Sequence, residues 1–174
     1  MTTLKKISLL VLPVIAISIL FASFSSCGIY RFKDVSIPDT IKTVKVNFIE
    51  NRARLVNPQL SQRLTDKLRQ KIISQTKLSQ TNNDNADWEV SGSITDYSLS
   101  TSAISGQREA GNRLTVSLHI TLVDHKADKT QDYDVSRNFE FSASQSLQQA
   151  EAALGEEMIR TLTDEIFNKL FSNW

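Results

Sequence analysis

The chain has 174 residues with 20 Lys and Arg against 19 Asp and Glu, a formal net charge of +1, and a single cysteine. So balanced a charge excludes the basic footprint of a nucleic-acid-binding domain. A lone Cys excludes an internal disulfide and a cysteine-based metal centre, so packing alone must hold the fold.

In chain order, Lys5 and Lys6 give a short positive head. Residues 7–20 (ISLLVLPVIAISIL) form an uncharged core interrupted only by Pro13. Ala22, Ser23, Ser25 and Ser26 follow, and then Cys27. Head, apolar core and small-residue cleavage region in that order describe a secretory signal peptide. The core is shorter than the roughly 20 apolar residues a bilayer span requires. A cleavage region ending at Cys resembles a bacterial lipoprotein signal, in which the thiol takes a diacylglycerol and the Cys becomes the new N-terminus. Phe24 departs from the commonest motif, which has Leu there. Two other readings stay open: an uncleaved anchor with Cys27 as a bystander, and ordinary secretion with a buried Cys. The expected organisation is a lipoprotein signal over 1–26, a lipid anchor and tether over 27–40, and one domain over 41–174. Taking 26 from 174 leaves 148 residues with 18 basic and 19 acidic side chains, because Lys5 and Lys6 leave with the signal. That length suits one domain with a real core.

Residues 41–48 (IKTVKVNF) alternate, with Val44, Val46 and Phe48 on one side and Lys45 and Asn47 on the other, which predicts a half-buried strand. A polar loop follows, and Asn57-Pro58 opens a helix with a capping Asn and a Pro in the first turn. Leu60, Leu64, Leu68 and Ile72 form its apolar stripe; Arg63, Lys67, Arg69 and Lys71 between them predict a basic solvated face. Residues 79–87 (SQTNNDNAD) are expected to be a loop. Trp88, Val90 and Ile94 mark the next strand, and the shift of apolar positions to Tyr97 and Leu99 predicts a bulge near Asp96. Leu114, Val116, Leu118, Ile120 and Leu122 alternate without a break, as do Tyr133, Val135, Phe139 and Phe141 except at Arg137. Short connections at 105–112 and 124–130 make these last three strands an antiparallel meander. Residues 147–171 form a second helix, with Ser144 and Ser146 as candidate caps and Glu151, Glu156 and Glu157 toward its positive end. The predicted fold class is α+β: two helices packed on one face of a four-stranded, mostly antiparallel sheet in the order β-α-β-β-β-α.

No constellation in the sequence carries catalysis. There is no G-x-S-x-G, no phosphate-binding glycine loop and no Cys or His pair at ligand spacing. His119 falls on the polar side of a strand and His125 in the turn after it, a poor chelate that reads as solvated surface. Residues 124–128 read as a hairpin tip without EF-hand spacing. The loop 105–113 (SGQREAGNR) presents Arg108 and Arg113, a side-chain type that suits phosphate or carboxylate. These two are the candidate binding residues, and no metal is expected.

Cys27-Gly28, the tether 29–32 (IYRF), the strand 42–48 (KTVKVNF), and then 51–58 (NRARLVNP) and 60–68 (LSQRLTDKL) together resemble the LptE lipoproteins of the Bacteroidota, the LPS-assembly family. The resemblance is specific mainly between Cys27 and Leu68 and continues in element order beyond. It implies a non-enzymatic lipoprotein on the periplasmic side of the outer membrane, held there by a diacylglycerol and an acyl chain such as palmitate on Cys27. No other cofactor is implied. The implied partners are an LptD-like outer-membrane β-barrel, which it plugs and helps assemble, and lipopolysaccharide, which the pair moves to the cell surface. Absence of an acidic run after Cys27 agrees with the periplasmic side. The family's glycolipid-binding basic residues have no motif counterpart here, so Arg108 and Arg113 rest on loop position and charge. The alternative is a lipid-anchored periplasmic adaptor or chaperone module of another envelope machine.

Overall fold

The computed structural model describes residues 37–102 and 111–171. The signal segment, Cys27 and Arg108 lie outside these residues. The elements are β1 (Thr43–Val46), β2 (Glu50–Asn51), α1 (Pro58–Gln75), β3 (Ser79–Gln80), β4 (Trp88–Ser102), β5 (Gly111–Asp124), β6 (Lys129–Ser142) and α2 (Leu147–Phe171). The α+β class stands, with two corrections to the sheet. It has six strands in the order β3-β1-β4-β5-β6, with β2 also on β4, and it is mixed. β1 runs parallel to both β3 and β4, β2 is parallel to β4, and β4-β5-β6 are antiparallel. The two added strands have two residues each. So short a strand has no readable periodicity, and only the neighbouring backbone reveals it.

The bulge falls where the change of phase puts it, with a register shift between Ile94 and Asp96. It lets Ile94 and Tyr97 both point into the core although they are three positions apart, and both are buried. Phe48 is a correction. The strand ends at Val46, so Phe48 is 48% exposed while Ile49 takes the buried place at 1%. The hydroxyl of Thr65 fixes this turn by accepting from the Ile49 N–H at 3.0 Å and donating to the Ser61 carbonyl at 2.7 Å.

Both helix starts carry the predicted chemistry. Asn57 Oδ1 accepts from the N–H groups of Gln59 and Leu60 at 3.1 and 3.2 Å. Ser146 and Gln149 form a reciprocal cap: the Ser146 N–H donates to Gln149 Oε1 at 2.9 Å and the Gln149 N–H to Ser146 Oγ at 3.3 Å. The apolar stripes of both helices, with the inward positions of the sheet, make one core. Among the described residues no helix is long and apolar enough to cross a membrane.

The basic face of α1 is mostly engaged rather than solvated. Arg63 pairs with Glu156 of α2, and Lys71 meets Asp164 of α2 at 2.7 Å while its Nζ lies 5.1 Å from the centre of the Phe167 ring. Arg69 donates to the Val46 carbonyl at the end of β1, its Nη2 at 2.7 Å. Arg137, the exception in β6, turns to the helix side and pairs with Glu165 of α2.

Candidate functional site

The sheet has one face covered by helices and one that is open. On β5 the buried residues alternate strictly with partly exposed ones, so every second side chain of three long strands points away from the core. Short polar groups dominate this open face, among them Ser91, Ser98, Thr115, Ser117, Thr121 and Ser136. Cross-strand pairs tie them together. Thr115 Oγ1 donates to Asn138 Oδ1 at 2.9 Å, Ser117 and Ser136 hydroxyls lie 2.9 Å apart, and Thr121 Oγ1 donates to Asp132 Oδ1 at 2.6 Å.

Both histidines are on this side. His119 Nδ1 lies 2.8 Å from Asp134 Oδ1 and its Nε2 is 3.5 Å from Asp132, and the bond to Asp134 raises the imidazole pKa above its ordinary value. His125 Nε2 contacts Glu89 Oε2 at 3.2 Å. Among the described residues no group of three or more His, Cys, Asp or Glu is placed to hold a metal ion.

Arg113 is corrected from a loop tip to a strand residue. It lies within β5, and its Nε donates to Glu140 Oε1 of β6 at 2.7 Å. Arg108 and Cys27 fall outside the described residues.

Two polar clusters escaped the sequence reading, and each fastens one end of the domain. Asp87 Oδ2 accepts from the backbone N–H groups of Lys42 and Thr43 at 2.7 and 2.9 Å, while its own N–H donates to Thr43 Oγ1. Lys126 of the β5–β6 turn reaches Asp87 Oδ1 at 3.2 Å. Chiefly through those two backbone donors, the carboxyl is held far below the ordinary value of 3.8. The sign follows from linkage: a depressed pKa contributes stability that is present above the unfolded value and lost as pH falls below it. Asp87→Asn should therefore lower the thermal midpoint at pH 7 and shrink the difference from wild type below about pH 4, as read by melts across the acid range.

At the opposite end Tyr97 Oη donates to Glu151 Oε1 at 2.6 Å, and Asn57 Nδ2 donates to the same oxygen at 3.1 Å. The starts of both helices are thereby pinned to β4. Glu151 thus serves as a shared acceptor, not as the dipole partner its position suggested. Apolar Tyr97 signalled burial, but nothing in the local sequence pairs it with a residue 54 positions on.

A family model described as LptE, lipopolysaccharide-assembly, matches residues 41–170. No curated protein is significantly similar to the chain in sequence. Among solved structures, a minor lipoprotein from Acinetobacter baumannii is similar with a TM-score of 0.50 and 14% identity, over 75% of this chain and 93% of that one. A Xanthomonas campestris protein gives a TM-score of 0.51 and 14% identity, over 78% of this chain and 87% of that one. At such identities the two structures speak for the fold alone. The family match runs from before β1 to within the last turn of α2, taking in every strand and both helices, and the chain belongs to the LptE lipopolysaccharide-assembly family.

Proposed function

We propose that this protein is the lipid-anchored plug of an LptD-like outer-membrane β-barrel and helps that barrel to fold and to deliver lipopolysaccharide to the cell surface. Residues 1–26 are removed, and Cys27 carries a diacylglycerol and an acyl chain that hold the domain on the periplasmic side of the outer membrane. The observation that carries this reading is the family match over the whole folded domain. Its physical support is a domain with one continuous apolar core and a polar exterior, which suits a barrel lumen. No enzymatic step is part of this role. Arg108 and Arg113 are proposed to contact the phosphates of the glycolipid, with Glu140 setting the direction of the Arg113 side chain.

The test is to solubilise outer membranes in mild detergent, capture the full chain on a C-terminal tag, and identify the N-terminal peptide and partners by mass spectrometry. An acylated Cys27 with a stoichiometric β-barrel is expected. An acylated Cys27 without a barrel would favour the adaptor reading, and an intact Met1 would refute the lipoprotein assignment. In the same preparation, Arg108→Glu should weaken binding of labelled lipopolysaccharide several-fold; unchanged binding removes that residue from the site.

A further inference from the structure

We infer that the helix-free face of the sheet is the surface that lies against the polar wall of the barrel, with both helices turned away from it. This assignment rests on the plug reading and adds to it the face that docks.

Size is the first argument. Strands of 14 or 15 residues span about 46 Å at ~3.3 Å per residue, and three of them at ~4.8 Å spacing give a platform about 14 Å wide. A platform of roughly 650 Å² before counting side-chain relief approaches the ~800 Å² that each partner contributes to a standard interface. No described helix covers it.

Chemistry is the second. Ser, Thr and Asn on this face have few rotamers to lose, and the pairs Thr115–Asn138, Ser117–Ser136 and Thr121–Asp132 already restrain one another. Each hydroxyl both donates and accepts, so the face can meet either kind of group on a polar wall. The outer faces of the helices differ. Lys67, Glu157 and Arg160 are exposed there, and covering such long charged chains would immobilise and desolvate them.

Charge distribution is the third. Lys45, Glu89 and His125 cluster at the end where β4 starts, and Arg113 with Glu140 at the other. Asp132 and Asp134 lie on β6, the edge of the sheet, and His119 midway along β5 is bonded to Asp134, so the ionisable group at the centre is paired and its neighbours are mostly hydroxyl and amide groups. Charges at the two ends and along the edge stay at a wet rim, and the His119–Asp134 pair enters the interface already bonded. Charges along β6, including Arg137 on the helix side, also defend that open edge against pairing with a second copy.

The experiment places benzoylphenylalanine at Ser117 or Ser136 on the open face, and at Lys67 or Glu157 on the helices, in the full lipoprotein in its native cells. After irradiation, the sheet positions should give an adduct identified by mass spectrometry as an outer-membrane β-barrel, several-fold stronger than from the helix positions. Ser117→Arg should deplete the co-purified barrel without shifting the unfolding midpoint, whereas Lys67→Glu should not. Adducts from the helix positions with none from the sheet overturn the assignment, as does a sheet-face adduct with a second copy of the chain or with lipid alone. If the wild-type protein captures no barrel, the plug reading itself fails and the face assignment falls with it. A barrel captured equally by wild type and Ser117→Arg overturns only the face.

Discussion

Replacing Gly92 with alanine should destabilise the domain by about 1–3 kcal/mol, and valine by more, because the core has no room for a side chain there. A Cβ built on Gly92 would lie 2.6 Å from Ile120 Cδ1 and 3.0 Å from the His119 carbonyl oxygen. Gly92 sits opposite Ile120 on β5, on the face covered by the helices, so the isoleucine lies over the bare backbone of its partner. Ile120 is itself 1% exposed and cannot swing into solvent. The measurement is a thermal or denaturant melt, with a drop of several degrees expected for alanine. A second variant makes the cause testable. Ile120→Val removes Cδ1 and alone should cost about 0.5–1.5 kcal/mol. Combined with Gly92→Ala it should recover part of the loss, a favourable coupling above about 0.5 kcal/mol. Strict additivity would show that strand propensity, not the Ile120 contact, requires the glycine.

Tyr97→Phe should cost about 1–3 kcal/mol although it removes a single oxygen. Tyr97 is 1% exposed, and its hydroxyl donates at 2.6 Å to Glu151 Oε1. Without it, the carboxylate oxygen keeps only the longer bond from Asn57 at 3.1 Å. The loss should therefore exceed that of an exposed Tyr→Phe change. Glu151→Gln, which keeps an acceptor oxygen, should be milder than Glu151→Ala. The pH dependence offers an independent check. Burial first, and then the bond to Glu151, raise the Tyr97 pKa well above its ordinary 10.0. A raised folded pKa gives stability that is fully present below the unfolded value and lost as pH rises through the folded one. The gap between wild type and Tyr97→Phe should then be constant up to about pH 10 and narrow above it. A gap that stays constant to pH 11 would mean that the hydroxyl is not held in this bond.

How much was legible depended on the range of each interaction. The Asn57 cap, the Pro58 start and the stripe of α1 are decided within a few residues, and the structure has them as read. The bulge near Asp96 was visible because a shift of period is written along one strand. Phe48 misled because a local alternation continues past the point where β1 loses its neighbours and the chain turns in at Ile49. The charges of α1 misled for a similar reason. Arg63 and Lys71 look solvated along their own helix, but each has an acidic partner 93 residues away on α2. Arg113 looked like a loop residue because the length of β5 is set by its pairing with β4 and β6, not by its own composition.

The sequence by itself determined the class of the domain, the phase of the long strands, the two amphipathic helices and their caps. These follow from period and local hydrogen bonding, which adjacent residues settle among themselves. Only the tertiary structure decided the mixed sheet with its two-residue strands, the fastening of both ends by Asp87 and Glu151, the pairing of the helix charges, and the open hydroxyl face. Each of these requires groups distant in sequence to meet, and their meeting depends on the packing of one common core.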